Sequence, residues 1–446
     1  MQKIKLSLWG LLAVLTVLWL AADPMVFRSS GFFPFRSAMI QYSGVLAIGC
    51  MSVAMILALR PRWPEHWIGG LDKMYRLHKW LGIAALVVAI VHWLWVQGTR
   101  WAVGWGWLVR PERGPRAIPD NPIEQTLSGL RGTAENVGEW AFYAAVLLIA
   151  LALITWFPYR LFFKMHRLLA VTYLVLVFHS VVLTRFSYWT TPLGIAMALL
   201  LAWGTWAGVV VLLRRVAADR QVPGTIRNLH YYPGVRVLET EVEVPNGWPG
   251  HKAGQFAFAM SDPAEGAHPY TIASAWNDTD RRITFVIKEL GDHTRRLREK
   301  LRIGQDLTVE GPYGCFTFDD DLPHQIWVGG GIGVTPFIAR MKQFAADPRP
   351  SSQTIDFFHT TTEVDEGALA KLTADATAAN IRLHVLIDAR DGRLTGDRIR
   401  AAVPQWRDAS IWFCGPVGFG AALRHDFATH GLPVQERFHQ ELFAMR

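Results

Sequence analysis

Cysteine is scarce in this chain, and what there is lies apart. Cys50, Cys315 and Cys414 are the only three, and no two stand in a C-x-x-C spacing. That excludes a disulfide framework, and it excludes a four-cysteine iron–sulfur cluster built within the chain. Low-complexity tracts are absent, and no internal repeat is found beyond the two histidine-bearing segments described below. No acidic loop of the EF-hand type precedes the first apolar stretch, so calcium gating through one in this chain is not expected. Long apolar runs are missing from one half: residues 221–446 read as an ordinary soluble protein, while residues 1–213 hold nearly all such runs. The average of 51% hydrophobic residues therefore describes neither half.

Six stretches approach the roughly 20 residues needed to cross hydrocarbon: about 4–22, 38–59, 78–97, 139–157, 166–185 and 192–213. The first opens Met1-Gln-Lys-Ile-Lys and lacks a convincing small-residue cleavage site before Asp23-Pro24, so it reads as a retained anchor rather than a cleaved signal. Lys3, Lys5, Arg60, Arg62, Lys73, Arg76, Lys79, Arg160, Lys164, Arg167, Arg214 and Arg215 all fall on one side, which the positive-inside rule makes cytoplasmic. The opposing loop, about 98–138, mixes five arginines with Glu112, Asp120, Glu124 and Glu135, and its length weakens its vote. An even number of spans puts both termini and the soluble half in the cytoplasm of a cell whose inner or plasma membrane holds the chain. Much of the net charge of +8 sits in inner loops facing anionic lipid, so the expected partner is the bilayer and not nucleic acid. Trp93, Trp95, Trp101, Trp105 and Trp107 crowd the outer end of the third span as an interfacial belt would.

Histidine is costly inside a bilayer, and four stand there in two matching pairs. His78 and His92 are fourteen positions apart, and His166 and His179 thirteen, which is roughly 21 Å and 20 Å along a helix. Each helix then offers one imidazole near each membrane face. Two such helices can clamp two stacked metallocofactors, each iron held by one nitrogen from each helix. At about 100° per residue, fourteen steps return His92 to within roughly 40° of His78, whereas thirteen leave His179 roughly 140° from His166. The second helix must tilt, bend or carry an irregular turn. Polar residues tolerated near helix ends would account for any one of the four, but poorly for the matched set.

From about residue 225 the pattern changes to short alternating runs such as Val235–Val244 and Arg282–Ile287, the signature of a small antiparallel barrel. Later, strands at 325–328, 354–358, 383–387 and 410–413 alternate with helix-length segments, which implies a parallel sheet. His268-Pro269-Tyr270-Thr271-Ile-Ala-Ser274 sets an aromatic ring beside hydroxyls, as a flavin requires, although alone it is equally a strand and turn. Ile287-Lys288-Glu-Leu-Gly291-Asp-His-Thr294 offers a cation, backbone amides and a helix start that suit a pyrophosphate, or else a capped surface helix. Gly329-Gly330-Gly331-Ile-Gly333-Val-Thr335-Pro336 follows one strand and opens a helix, the context of a dinucleotide site. Phe413-Cys414-Gly415-Pro416 stands at the end of the last sheet strand, where parallel sheets meet ligand. Cys414 can also be read as a small buried residue, the commoner case for cysteine.

Taken together, His268–Ser274, Gly311-Pro-Tyr-Gly314, Gly329–Pro336 and Cys414-Gly-Pro416, behind His78-x13-His92 and His166-x12-His179, resemble the NADPH oxidase and ferric reductase superfamily over nearly the whole chain. The resemblance implies a six-helix α-helical membrane bundle at 1–215 carrying two b-type haems. It implies an antiparallel β-barrel FAD domain at 221–321, and a Rossmann-like α/β NAD(P)H domain at 322–446. The irregular second histidine spacing is also the family's. Carried over, His78 pairs with His166 on the inner haem and His92 with His179 on the outer. His268, Pro269, Tyr270, Thr271 and Ser274 line FAD, with Ile287, Lys288, Gly291 and Thr294 near its diphosphate. Gly330, Gly331, Gly333, Thr335 and Pro336 cradle the nucleotide, and Cys414 with Gly415 approaches the nicotinamide. An aromatic near the C-terminus often covers the flavin, and Phe443 is the residue for that role, though three residues follow it.

The implied activity is a flavohaem oxidoreductase passing electrons from cytoplasmic NAD(P)H through FAD and the haems to an outer small-molecule acceptor, with no obligatory protein partner. Flavin is the necessary converter between two-electron nicotinamide and one-electron haem. Oxygen giving superoxide is the favoured acceptor and a ferric chelate the alternative; a relay supplying a quinone or a separate outer protein comes third, because it would not need the flavin half. Arg28, Arg36 or Arg185 could draw an anionic acceptor or bind propionates, although ordinary interfacial arginines are the commoner case. After the strand ending at Phe358, His359-Thr-Thr-Thr-Glu363 offers hydroxyls and a histidine for a 2′-phosphate, and a carboxylate for a ribose diol, which leaves NADH and NADPH open.

Overall fold

The computed structural model describes residues 2–25, 31–110, 119–154, 159–245, 247–347 and 353–441. The backbone divides into two compact units. One runs to Ile68 and resumes over Lys73–Val216; the other joins Gly69–Asp72 to the chain from Ala217 onward.

The first unit contains six helices long and apolar enough to cross a membrane. They are α1 (Gln2–Ala22), α2 (Phe32–Ala58), α3 (Leu71–Gly104), α4 (Pro122–Leu153), α5 (Tyr159–Leu183) and α6 (Pro192–Leu212). α1 is built into the bundle core: Leu15 and Trp19 are buried, and the Thr16 hydroxyl meets Tyr42 Oη at 2.9 Å. Backbones pack tightly between α4 and α5, α2 and α6, and α5 and α6, whereas α3 has no comparably tight partner among the described residues. Only 11% of the most apolar stretch of α3 is enclosed, against 50% for α2. The helix carrying His78 and His92 thus stands off from its neighbours.

Two helices outrun their hydropathy. α4 begins at Pro122, far ahead of the apolar stretch expected from 139, because its entry is locally encoded. Asn121 Oδ1 accepts from Ile123 N at 2.9 Å, Pro122 fixes φ in the first turn, Glu124 complements the helix dipole, and Arg131 pairs with Glu135 at 3.0 Å. α3 likewise begins with Leu71-Asp-Lys, ahead of its apolar part.

In the second unit, β1 (Gln221–Tyr232), β2 (Val237–Glu243), β3 (Phe256–Met260), β4 (His268–Thr271), β5 (Arg282–Lys288) and β6 (Asp306–Tyr313) form an antiparallel sheet in the order β4-β3-β6-β1-β2-β5. An Ile272–Phe285 bridge brings its two edges together, closing a barrel over Ile226, Val242, Ile272, Ile283 and Val309. Helix α7 (Asp292–Lys300) joins β5 to β6.

The proposed division at 321/322 falls between β6 and β7. The second sheet has β7 (His324–Gly330), β8 (Thr354–Thr361), β9 (Arg382–Ile387), β10 (Ala409–Cys414) and β11 (Phe438–Gln440), all parallel, in the order β11-β10-β7-β8-β9. Helices α8 (Thr335–Ala346), α9 (Glu366–Ala378) and α10 (Val417–Thr429) provide the main helical connections. The chain leaves β7 toward β8 on one side and returns to β10 on the other, so the topological switch point lies between the carboxyl ends of β7 and β10.

Candidate functional site

The four histidines of the first unit meet as two pairs. Ring centroids lie 5.8 Å apart for His78 and His166, and 6.3 Å apart for His92 and His179. Metal–imidazole bonds of about 2 Å put two rings on opposite sides of one metal with centroids roughly 6 Å apart. Ring planes cross at 64° and 79°, which axial ligation permits because rotation about a metal–nitrogen bond is free. His78 Nδ1 reaches Ala54 O at 2.9 Å, His92 Nδ1 reaches Ile40 O at 3.0 Å, and His179 Nδ1 reaches Ala134 O at 2.8 Å. A carbonyl only accepts, so each Nδ1 is the protonated donor and Nε2 keeps its lone pair for a metal. His166 is held by stacking on Phe162, centroids 5.1 Å apart.

Small residues make this possible. A Cβ on Gly138 would lie 1.9 Å from His179 Nδ1, so only glycine lets α4 approach that ring. A Cβ on Gly44 would lie 3.4 Å from His92 Cε1, just at contact distance. The residues fit two bis-histidine haems. Helix α5 is unbroken from Tyr159 to Leu183, so no irregular turn brings His179 round; of the three expected means only tilt and gentle bend remain. Of the arginines considered for an outer anion, Arg185 is bonded to the Asp23 carboxylate and to Ser37 Oγ at 3.2 Å, which neutralises it. Arg36 Nε is fixed by Trp95 O and Thr99 Oγ1, both at 2.9 Å. Arg28 lies outside the described residues.

In the barrel, β4 carries His268, Pro269, Tyr270 and Thr271. The His268 ring stacks on His293 in the first turn of α7, centroids 3.7 Å apart and planes at 11°, which joins the His-Pro-Tyr-Thr motif to the Gly-Asp-His-Thr segment. Buried Glu265 faces this pair, 4.0 Å from His293 Nδ1 and 3.6 Å from Lys300 Nζ. Burial pushes the His268 imidazole down to about 4, helped by the charge of His293 and opposed by that of Glu265. Tyr270 packs against Phe285 at 5.9 Å. An aromatic ring, a stacked imidazole pair and a helix start in one place fit a flavin nucleotide.

Other expected flavin residues are occupied locally. Ser274 Oγ accepts from Thr284 N at 3.1 Å, Thr294 Oγ1 accepts from Leu290 N and Gly291 N at 3.0 and 3.1 Å, and Ile287 is buried in the barrel core. Lys288 turns to Glu363 in the nucleotide domain, 2.7 Å away. His293 and Glu265 escaped the sequence reading, since a first-turn histidine and a loop carboxylate both look like surface.

At the switch point, Gly329 is in register with Cys414, and the turn that follows lies directly on Cys414-Gly-Pro. A Cβ on Gly333 would lie 2.1 Å from Cys414 O, and Gly331 takes the left-handed φ of +55° that turns the chain into α8. Thr335 is buried with Oγ1 donating to Ile332 O at 2.8 Å, and Pro336 sits in the first turn of α8. The Cys414 thiol is fully buried and pushed well up, first by burial and then by the charge of Glu441. Glu441 is itself buried, and a Cβ on Gly314 would lie 3.5 Å from its Oε1, so the Gly311–Gly314 turn, Cys414 and Glu441 converge. Glu441 was not foreseen; its place after a three-residue strand is invisible without the sheet. Phe443 lies outside the described residues.

A cavity of about 110 Å³ opens between the barrel and the nucleotide domain, with Lys288, Gly331, His359, Glu363 and Lys371 in its wall. Among the described residues, Asp397, Asp426 and His430 are the one further cluster with metal-ligand spacing, but Arg400 is bonded to both carboxylates and supplies the cation there.

Residues 43–177 match the ferric reductase like transmembrane component, a stretch that holds His78, His92 and His166 and stops just short of His179; residues 223–317 match an FAD-binding domain. Respiratory burst oxidase homolog protein E of Arabidopsis thaliana is 27% identical over 235 residues, 45% of this chain and 23% of that protein. A flavohemoprotein of Pseudomonas aeruginosa is 25% identical over 192 residues, and an NADPH oxidoreductase of Mycobacterium tuberculosis 28% over 188, covering 41% and 40% of this chain. The matches span 48% and 47% of those two proteins, so the chain aligns with less than half of each of these relatives. Among solved structures, flavohemoglobin from Malassezia yamatoensis superposes with a TM-score of 0.48 at 17% identity, covering 92% of this chain and 98% of that one.

Proposed function

From a chain that belongs to the NADPH oxidase and ferric reductase superfamily, we propose transmembrane electron transfer: from cytoplasmic NAD(P)H through FAD and two b-type haems to a small-molecule acceptor across the membrane, with oxygen reduced to superoxide. The observation that carries this reading is the pair of facing imidazole couples, with ring centroids 5.8 and 6.3 Å apart, in an oxidoreductase that also has an FAD-binding domain. When bound, FAD takes the two electrons of a hydride and releases them singly to haem iron, which accepts one at a time.

The chain's own residues hold, orient and exclude. His78 with His166 would ligate the inner iron and His92 with His179 the outer one. With two imidazoles committed to each iron, neither iron would keep an open coordination site, and the chemistry the haems would supply is one-electron transfer. His268, Tyr270 and Thr271 would line the flavin, with the start of α7 toward its phosphates. Gly330, Gly331, Gly333, Thr335 and Pro336 would cradle the pyrophosphate of the nucleotide. Cys414, a neutral thiol beside buried Glu441, would pack at the nicotinamide end and keep water out. No side chain need act as an acid or nucleophile.

The test is nucleotide oxidation by the purified full chain loaded with FAD and haem, under air and anaerobically with ferric chelates. The reading expects a superoxide-dismutase-sensitive signal under air. Turnover that ignores oxygen and requires a ferric chelate would overturn the oxygen assignment in favour of the ferric-chelate reductase that the match over residues 43–177 also supports.

A further inference from the structure

We propose that Glu363 makes this protein select NADH over NADPH, by accepting hydrogen bonds from the 2′- and 3′-hydroxyls of the adenosine ribose. The inference rests on the nucleotide site assigned above and concerns only which nucleotide it takes. Glu363 stands two residues beyond β8, the strand next to the one that carries the glycine turn. In sheets of this winding, the adenosine ribose meets the end of that neighbouring strand, where a carboxylate binds a diol and a cation binds a 2′-phosphate.

What decides between the two is how the cations bonded to Glu363, and the residues at the end of β8, are already committed. Lys288 Nζ lies 2.7 Å from Glu363 Oε2 and Arg236 Nη2 lies 2.5 Å from Oε1, so both cations are already bound to the carboxylate. Lys371, further along the cavity wall, is held by both oxygens of Glu239 at 2.6 and 2.7 Å. Thr360 Oγ1 donates to Asp388 at 2.9 Å and Thr361 Oγ1 to Glu363 O at 2.8 Å. His359 Nδ1 lies 3.2 Å from Gly329 O, and burial keeps the ring neutral, its pKa down to about 4. The histidine and two of the three hydroxyls that the sequence offered to a phosphate, those of Thr360 and Thr361, are thus uncharged or spent.

Glu363 itself is held below the usual carboxylate range by its bonds to Lys288 and Arg236, so it stays ionised. A carboxylate has about four lone-pair sites. The two cations use one on each oxygen, which leaves one on each for a ribose hydroxyl. A 2′-phosphate, carrying roughly −1.5 to −2 at neutral pH, would face that carboxylate and would have to draw both cations away from it.

The experiment uses the full chain in detergent with FAD bound, and has two arms. In the first, flavin reduction by NADH and by NADPH is followed anaerobically by stopped flow. In the second, calorimetry measures binding of ADP-ribose and of 2′-phospho-ADP-ribose, which requires no turnover. The wild type should favour NADH, and ADP-ribose, by about tenfold or more. Glu363→Gln, which frees Lys288 and Arg236, should tighten 2′-phospho-ADP-ribose by about tenfold and erase or reverse the preference. Glu363→Asp should retain it. FAD content checks that each variant is folded. A wild type that prefers the 2′-phosphorylated ligand, or a Glu363→Gln variant with an unchanged ratio, overturns the inference. If ADP-ribose binds as expected while neither nucleotide reduces the flavin, the proposed function fails and the Glu363 assignment stands.

Discussion

Gly138 shows how much of the site depends on single atoms. With the place of its missing Cβ only 1.9 Å from His179 Nδ1, Gly138→Ala should displace that imidazole and cost the protein one of two haems. Haem per chain by the pyridine haemochrome method checks this, with nucleotide-driven flavin reduction unchanged; two retained haems would count against the geometry. In the soluble half, burial holds His251, His268 and His359 down to about 4, against about 6.5 in an unfolded chain. The unfolded state therefore takes up protons that the native state refuses. Their contribution to stability is complete above pH 6.5 and is lost as pH falls toward 4. The unfolding temperature followed by flavin release should already drop between pH 7 and 5, above the range where Glu363, held low by its cations, begins to protonate; a flat profile would contradict it. The membrane histidines were legible because their residue type is expensive where they stand. Gly138, His293 and Glu441 were not, because what singles each out is a neighbour from a distant part of the chain.

At the scale of elements, hydropathy located the six apolar helices but saw only their apolar portions. The first turns of α4 are specified by Asn121, Pro122 and Glu124, a capping signal that a search for apolar runs passes over. They matter, since Ala134, whose carbonyl accepts from His179, belongs to them. Asn121→Ala should cost about 1 kcal/mol of local stability, seen as faster amide exchange over residues 123–130 with haem content intact. The barrel and parallel sheet were readable from period-two runs and from strand–helix alternation. Register was not, and it brings Cys414 level with Gly329; nor was the packing of the barrel on the nucleotide domain, which turns Lys288 from the expected flavin phosphate to Glu363.

For the whole molecule, a unit with six membrane-spanning-capable helices and two facing histidine pairs is joined in one chain to a unit with flavin and nucleotide motifs, and the proposed function has electrons cross the bilayer. The direct measurement is in proteoliposomes carrying the full chain with its soluble half outward, FAD and haem bound, and a membrane-impermeant ferric acceptor sealed inside. NADH added outside should reduce the trapped acceptor, and His92→Ala should abolish that while its flavin is still reduced. Reduction of the trapped acceptor by His92→Ala at the wild-type rate, or none in the wild type despite a reduced flavin, would contradict the account.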